Sequence, residues 1–116
     1  MKDYISLFYE MYNEEVDKEQ FTKSAMEWEF HPVVKNETII AFFVTKENKI
    51  HCACLKEYKN KWFPKKLFNS IIKDLLNKYG SVRTSTTETT RDFVERLGFK
   101  EIGKNGMIIN YIKTEV

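Results

Sequence analysis

The 116-residue sequence is poor in the residues that mark specialised architectures, with only two Cys, two Pro and four Gly. So little Gly and Pro excludes collagen-like and low-complexity chains, and a hydrophobic content of 42% excludes an intrinsically disordered one. No apolar run approaches the roughly 18 residues of a membrane-spanning helix, and the first residues lack the apolar core of a signal peptide. We therefore predict one compact cytoplasmic domain over residues 1–116.

Cysteine is too scarce for a disulfide framework or a complete tetrahedral zinc site. Cys52 and Cys54 are two residues apart in a strand-like segment, so their side chains share one face, and His51 alternates to the other. His31 is distant in sequence. We interpret the two cysteines as small buried residues and expect no metal cofactor, with redox or metal chemistry as the alternative.

Charge is nearly balanced at +2 overall but is unevenly distributed along the chain. Residues 1–30 carry a net −5, and residues 56–66, KEYKNKWFPKK, carry a net +4 with three aromatic residues among the lysines. This basic segment is predicted to bind an anion. Because 16 of the 19 basic residues are Lys, groove reading of DNA is disfavoured, and contact with a nucleic-acid single strand stays as an alternative.

Hydrophobic periodicity predicts an N-terminal helix pair within residues 1–31. Apolar residues spaced by three and four positions indicate a first helix, and Asp17 followed by Gln20 has the form of a capping box that opens a second. We expect His31-Pro32 to end this second helix. The two helices are predicted to be antiparallel.

Residues 37–113 are predicted to form the sheet and the cofactor-loop core. ETIIAFFVT and KIHCACL read as a hairpin, a long amphipathic helix follows from Pro64 to Gly80, and SVRTST reads as a parallel strand. A short helix ending at Gly98 and a hairpin turning at Asn105-Gly106 complete the chain. The predicted fold is α/β in the α+β sense, a mixed sheet with a splayed parallel strand pair flanked by helices, in the order ααββ-αβ-αββ.

The segment from residue 54 to residue 80, followed by VRTSTTETTRDFVERLGFKEIG, resembles the second half of a GNAT-fold N-acetyltransferase. The most specific part is FVERLGFKEIG, which is similar to the family's short helix ending in Leu-Gly-Phe. The likeness covers residues 37–111, whereas the family's usual first strand is expected to be missing. The basic Trp-containing segment is similar to that of small GNAT-like proteins encoded by bacteriophages.

The resemblance implies binding of acetyl-coenzyme A (acetyl-CoA) by the loop before the long helix, where family glycines let backbone N–H groups approach the diphosphate. This chain has Trp62 and Pro64 at the two small positions, so lysines would have to replace the backbone donors. In the competing interpretation, Trp62 and Phe63 anchor the loop to the core. The residues assigned to cofactor binding are Leu55, Lys59, Asn60, Lys61, Trp62, Phe63, Lys65, Lys66 and Thr87.

The family frequently has a Tyr in the short helix that acts as a catalytic acid, and the matching residue here is Val94, which has no proton to give. The hydroxyls of residues 84–87 are candidates for holding an extended ligand. His51 and Glu57 are the predicted catalytic residues, as replacement bases.

The resemblance thus implies transfer of an acetyl group to a primary amine, with the activity itself left open. The alternative is an inactive GNAT-fold binding protein of phage origin that holds a host or virion protein through the acidic N-terminal helices or the basic segment. The chain is expected to be a monomer or homodimer.

Overall fold

A computed structural model describes residues 4–11, 17–58 and 63–116, and its six strands form one mixed sheet in the order β1-β2-β3-β4-β6-β5. The sheet and its helices confirm the predicted fold class. No described helix is long and apolar enough to span a bilayer. The helices are α1 (Tyr4–Met11), α2 (Lys18–Ala25), α3 (Lys65–Tyr79) and α4 (Arg91–Arg96). The strands are β1 (Glu29–Lys35), β2 (Thr38–Lys46), β3 (Lys49–Cys54), β4 (Val82–Thr86), β5 (Lys100–Asn105) and β6 (Ile108–Lys113).

Strand β1, which follows the two helices, corrects the predicted order, in which the helix pair leads directly into a hairpin. His31 and Pro32, read as the end of a helix, lie inside β1, which pairs antiparallel with β2 from Glu29↔Thr45 to Lys35↔Thr38. Because β1 is at one end of the strand order, Pro32 can lack an N–H without breaking a ladder between two neighbours. Helix α2 ends at Ala25, six residues before His31. The order is therefore ααβββαβαββ, one strand more than predicted.

The contacts between Cα atoms divide the chain into two compact units. Unit 1 comprises residues 1–46 and 52–65, and unit 2 comprises residues 47–51 and 66–116. In unit 1, Phe8 of α1 contacts Phe30 of β1 edge to face at 5.5 Å between ring centroids, and Phe30 contacts Phe42 of β2 in the same way at 5.5 Å. This aromatic cluster covers the face of β2 that carries Phe42 and Val44, and Phe63 contacts Phe43 on the opposite face.

In unit 2, α3 is the longest helix and buries a stripe made by Phe68, Ile71, Ile72 and Leu75. It ends before Gly80, whose φ of +78° is the left-handed geometry that favours glycine at a helix C-terminus. The helix bounds and its apolar face confirm the prediction made from its spacing.

Helix α4 ends at the Leu-Gly-Phe motif, and Gly98 there has φ +93°. The Nζ of Lys113 donates a hydrogen bond to the carbonyl of Leu97. Carbonyls in the last turn of a helix have no partner within the helix, and Lys113 supplies one from outside. A Cβ atom added at Gly98 would lie 2.6 Å from this Nζ. The backbone conformation therefore favours glycine, an added Cβ would displace the end of the Lys113 side chain, and Phe99 behind it is buried.

The start of α4 differs from expectation. Thr89 and Asp92 resemble a capping box in the sequence, but α4 begins at Arg91, and its N-cap residue Thr90 makes no side-chain capping bond. By contrast, the box predicted for α2 is half formed, since the Asp17 carboxylate accepts a hydrogen bond from the Gln20 backbone N–H at 3.3 Å.

Candidate functional site

The parallel pairing of β3 and β4 opens almost as soon as it begins. Among the residues of these two strands, which are all described, the parallel register is confined to Lys49↔Arg83, and Arg83 N–H donates to the Asn48 carbonyl at 2.7 Å. The next carbonyl on β3, that of Ile50, accepts the hydroxyl of Thr84 at 2.7 Å. A side chain thus replaces the backbone ladder at this point, which confirms the predicted splay within unit 2. Such openings are where α/β sheets commonly hold ligands.

His51 follows this opening on β3 and is half-buried. Burial, helped by the charge of Lys49, lowers the pKa of its imidazole below the ordinary value of 6.5. The ring is therefore neutral at pH 7 and chemically able to accept a proton. Its assignment as a catalytic base stays a prediction.

The end of β3 leads into a single 3₁₀ turn, Lys56–Tyr58, in unit 1. Leu55 N–H donates to the Ile40 carbonyl at 2.9 Å, and the Leu55 carbonyl accepts from Tyr58 N–H at 3.0 Å, so the backbone of Leu55 is held on both sides. Glu57 lies in this turn with its carboxylate exposed. The side chain of Leu55 packs against the core of unit 1. Its assignment as a cofactor contact stays a prediction.

The predicted loop residues Lys59, Asn60, Lys61 and Trp62 lie outside the described residues. Phe63, the next residue, places its ring edge to face against buried Phe43 at 5.8 Å between centroids. This contact supports the anchoring interpretation for the side chain of Phe63.

The first turn of α3 carries two exposed lysines, Lys65 and Lys66, and no acidic residue. Positive side chains next to the positive end of a helix dipole repel it, and a bound anion would relieve that repulsion. Pro64 precedes the helix and offers no N–H. An anion at this end would therefore be held chiefly by side-chain charge.

The hydroxyl run at the end of β4 is only partly available. Thr84 is bonded to Ile50, and the hydroxyls of Thr86 and Thr90 are in contact with each other. Thr87 is half-buried, and its carbonyl accepts a hydrogen bond from Thr90 N–H at 3.2 Å. Thr87 stays a predicted cofactor contact.

An ion-pair network next to α4 has no counterpart in the sequence-based predictions. The Arg91 guanidinium contacts Glu88, Glu95 and Glu101 at 3.1, 2.9 and 2.8 Å, and Glu95 also accepts the Tyr111 hydroxyl at 2.8 Å. The hydrogen bond from Arg91, reinforced by that from Tyr111, lowers the pKa of Glu95. Burial first, and then the bond to Glu95, raise the pKa of Tyr111 to about 12. The phenol is therefore protonated and committed to Glu95.

The resemblance predicts that Val94 of α4 takes the position of a catalytic Tyr. The side chain of Val94 is buried. Tyr111 does not replace that Tyr, because its hydroxyl is already donated and its side chain is fully buried.

The two cysteines differ in exposure. Cys52 is exposed and Cys54 is half-buried, so the expectation that both are buried is wrong for Cys52, which lies on a strand whose pairing has opened. Within the described ranges, no group of three or more His, Cys, Asp or Glu side chains is placed to hold a metal ion.

The comparisons with known proteins show which fold this is. No protein-family model matches the sequence, and no curated protein matches it. An acetyltransferase of Bacillus subtilis in complex with CoA superposes with a TM-score of 0.72 at 12% identity, over 100% of this chain and 96% of that one. The PaiA N-acetyltransferase of Thermoplasma acidophilum, in complex with coenzyme A, superposes with a TM-score of 0.65 at 20% identity, over 84% of this chain and 69% of that one.

A third similar structure is the ribosomal-protein-S18-alanine N-acetyltransferase of Escherichia coli. Its TM-score is 0.66 at 13% identity, over 93% of this chain and 81% of that one. At such low identities the likeness shows a shared fold. The chain has the GNAT fold.

Proposed function

We propose that this protein binds acetyl-CoA and transfers its acetyl group to a primary amine. Two of the similar structures hold coenzyme A, and two are named as N-acetyltransferases. The observation that carries the proposal is the opening of β3 from β4 at Ile50, where the Thr84 hydroxyl takes over from the backbone ladder. In a GNAT fold, this opening is the place where an extended ligand can meet strand backbone.

The residues before and within the first turn of α3 fit the charge of the cofactor. A diphosphate is a strong anion, and Lys65 and Lys66 are exposed with no acidic neighbour in that turn. Lysine binds phosphate as a point charge and needs no special backbone geometry. This substitutes for donors that Pro64 and the absent loop glycines cannot provide.

When bound, acetyl-CoA would supply an activated thioester. The chain's own contribution would be to deprotonate the attacking amine, since an alkylammonium group is not a nucleophile. His51 is proposed for this step, because its lowered pKa keeps the imidazole neutral at pH 7. Glu57 is the second candidate base and is exposed in the turn after β3.

A thermal-shift titration tests cofactor binding directly. Acetyl-CoA at about 100 times its dissociation constant should add about 2.7 kcal/mol to the free energy of unfolding. For a chain of 116 residues this raises Tm by roughly 10 °C. No shift at millimolar acetyl-CoA would end the enzyme proposal.

Matched variants locate the diphosphate. Lys65→Glu/Lys66→Glu should remove most of the shift, because it reverses the charge at the start of α3. Lys73→Glu/Lys100→Glu changes charge equally at two exposed positions elsewhere and should keep it. Equal shifts in both double variants would show that the diphosphate lies elsewhere.

Buried Val94 favours the alternative function, a GNAT-fold protein that binds without catalysis, because α4 offers no phenol there. In that case a partner protein would contact the acidic N-terminal helices or the basic segment 56–66. Mass spectrometry of a peptide carrying an N-terminal amine and a lysine separates the two functions. Acetylation that His51→Gln abolishes while the thermal shift remains supports the enzyme, and a shift without any acetylation supports the binding protein.

A further inference from the structure

Lys35, the last residue of β1, contacts the turn that follows β3. Its Nζ lies 5.7 Å from the centroid of the Tyr58 ring, a cation–π distance. Tyr58 ends the 3₁₀ turn Lys56–Tyr58. Lys35 therefore extends from the edge strand and places its ammonium beside the segment that precedes α3.

The antiparallel registers of unit 1 explain this contact. Lys35 of β1 pairs with Thr38 of β2, and the Ile40 carbonyl of β2 accepts the N–H of Leu55 just after β3. The end of β1, the start of β2 and the end of β3 consequently lie next to one another, on the side of the sheet where these strands begin and end. Residues far apart in sequence thus meet where the basic segment begins.

The ammonium of Lys35 is held without being neutralised. In the described part of the chain, the ion pairs involve other lysines, and Lys35 has no carboxylate partner. An aromatic face attracts a cation but leaves its charge in place. Exposed Lys56 and Lys65 of the same unit likewise make no ion pair there, and exposed Glu37 and Glu57 offset only part of this charge. The edge is thus suited to an anion.

We infer that Lys35 binds the 3′-phosphate of coenzyme A and makes the protein prefer CoA to dephospho-CoA. The inference rests on the proposed function, which places the diphosphate at the start of α3. The nucleotide half of CoA carries one further anion, the phosphate ester on its ribose. Lys35 comes from a different element than Lys65 and Lys66, and it supplies a separate cation for a separate phosphate.

The test compares binding of CoA and dephospho-CoA by isothermal calorimetry. The unmodified protein should bind CoA more tightly. Lys35→Gln should raise the dissociation constant for CoA about three- to fivefold, the range of an exposed ion pair, and leave that for dephospho-CoA unchanged. Lys35→Arg keeps the charge and should keep the preference. Lys100→Gln removes an exposed lysine from β5 and should change neither constant.

The outcomes separate this inference from the proposed function. If Lys35→Gln weakens CoA and dephospho-CoA equally, or weakens neither, the assignment of Lys35 is overturned while CoA binding stands. If the unmodified protein binds neither ligand, the proposed function fails and the inference with it. The preference for CoA should shrink at high salt, because exposed charges are screened, and a salt-independent preference would also overturn the assignment.

Discussion

Replacing Gly98 by alanine tests whether the Leu-Gly-Phe turn is fixed by packing. Two costs are expected. Alanine in the left-handed region costs roughly 1 to 2 kcal/mol, and Gly98 has φ +93°. The new Cβ would also lie 2.6 Å from the Nζ of Lys113, which must withdraw from the Leu97 carbonyl. Losing that hydrogen bond costs about 1 kcal/mol more.

The total of about 2 to 3 kcal/mol converts to a measurable change in melting temperature. An unfolding entropy of about 2.1 cal/mol/K per residue gives a decrease of roughly 10 °C for 116 residues. Thermal unfolding followed by circular dichroism measures it. Gly80→Ala is the matched control, because Gly80 has φ +78° but nothing within 4 Å of an added Cβ. Gly80→Ala should lower the free energy of unfolding only by the cost of the left-handed backbone conformation, roughly 1 to 2 kcal/mol.

A double-mutant cycle isolates the contact itself. In the Lys113→Ala background the ammonium is gone, and Gly98→Ala should cost no more than Gly80→Ala does. The reasoning is refuted if Gly98→Ala and Gly80→Ala are equally destabilising in the unmodified background, or if the cost of Gly98→Ala is the same with and without Lys113.

Two pH dependences follow from the shifted groups. The pKa of His51 is lowered on folding, so its contribution to stability should be full above pH 6.5 and be lost as pH falls from 6.5 through the lowered value. His51→Gln should remove this part of the acid slope, and an unchanged slope would contradict the burial argument. The pKa of Tyr111 is raised to about 12, so its contribution is full below pH 10 and is lost between pH 10 and 12. Tyr111→Phe should lack that alkaline loss in urea unfolding, and an identical loss would show that lysines cause it.

Periodicity was sufficient to predict most elements of the fold. The spacing of apolar residues in α3 and the continuous apolarity of β2 each identify an element whose burial is decided by its own sequence. Strand β1 was missed because proline usually ends a helix, and only the place of β1 at the sheet edge makes Pro32 acceptable in a strand.

The position of Lys35 also could not be predicted from the sequence, because it depends on strand β1. Its contact with Tyr58 depends on two registers, β1 with β2 and β2 with the residue after β3, which no local pattern encodes. The antiparallel pairing of β1 with β2, and of Ile40 with Leu55, brings Lys35 to the end of β3. Thr84 was proposed as a ligand-holding hydroxyl, but its bond to Ile50 also depends on register. Side-chain roles at a site are decided by such pairings more than by residue type.

The Leu-Gly-Phe motif, on which the family resemblance depends most, has structural roles in this protein. Its presence is therefore evidence for the fold and not for an activity. The Leu97 carbonyl accepts from Lys113, Gly98 has a left-handed φ of +93°, and Phe99 is buried, so each position has a structural role in unit 2. None of these roles involves a reacting group. A chain can therefore keep Leu-Gly-Phe for stability whether or not it has a catalytic acid, and the presence of the motif predicts the GNAT fold without predicting turnover.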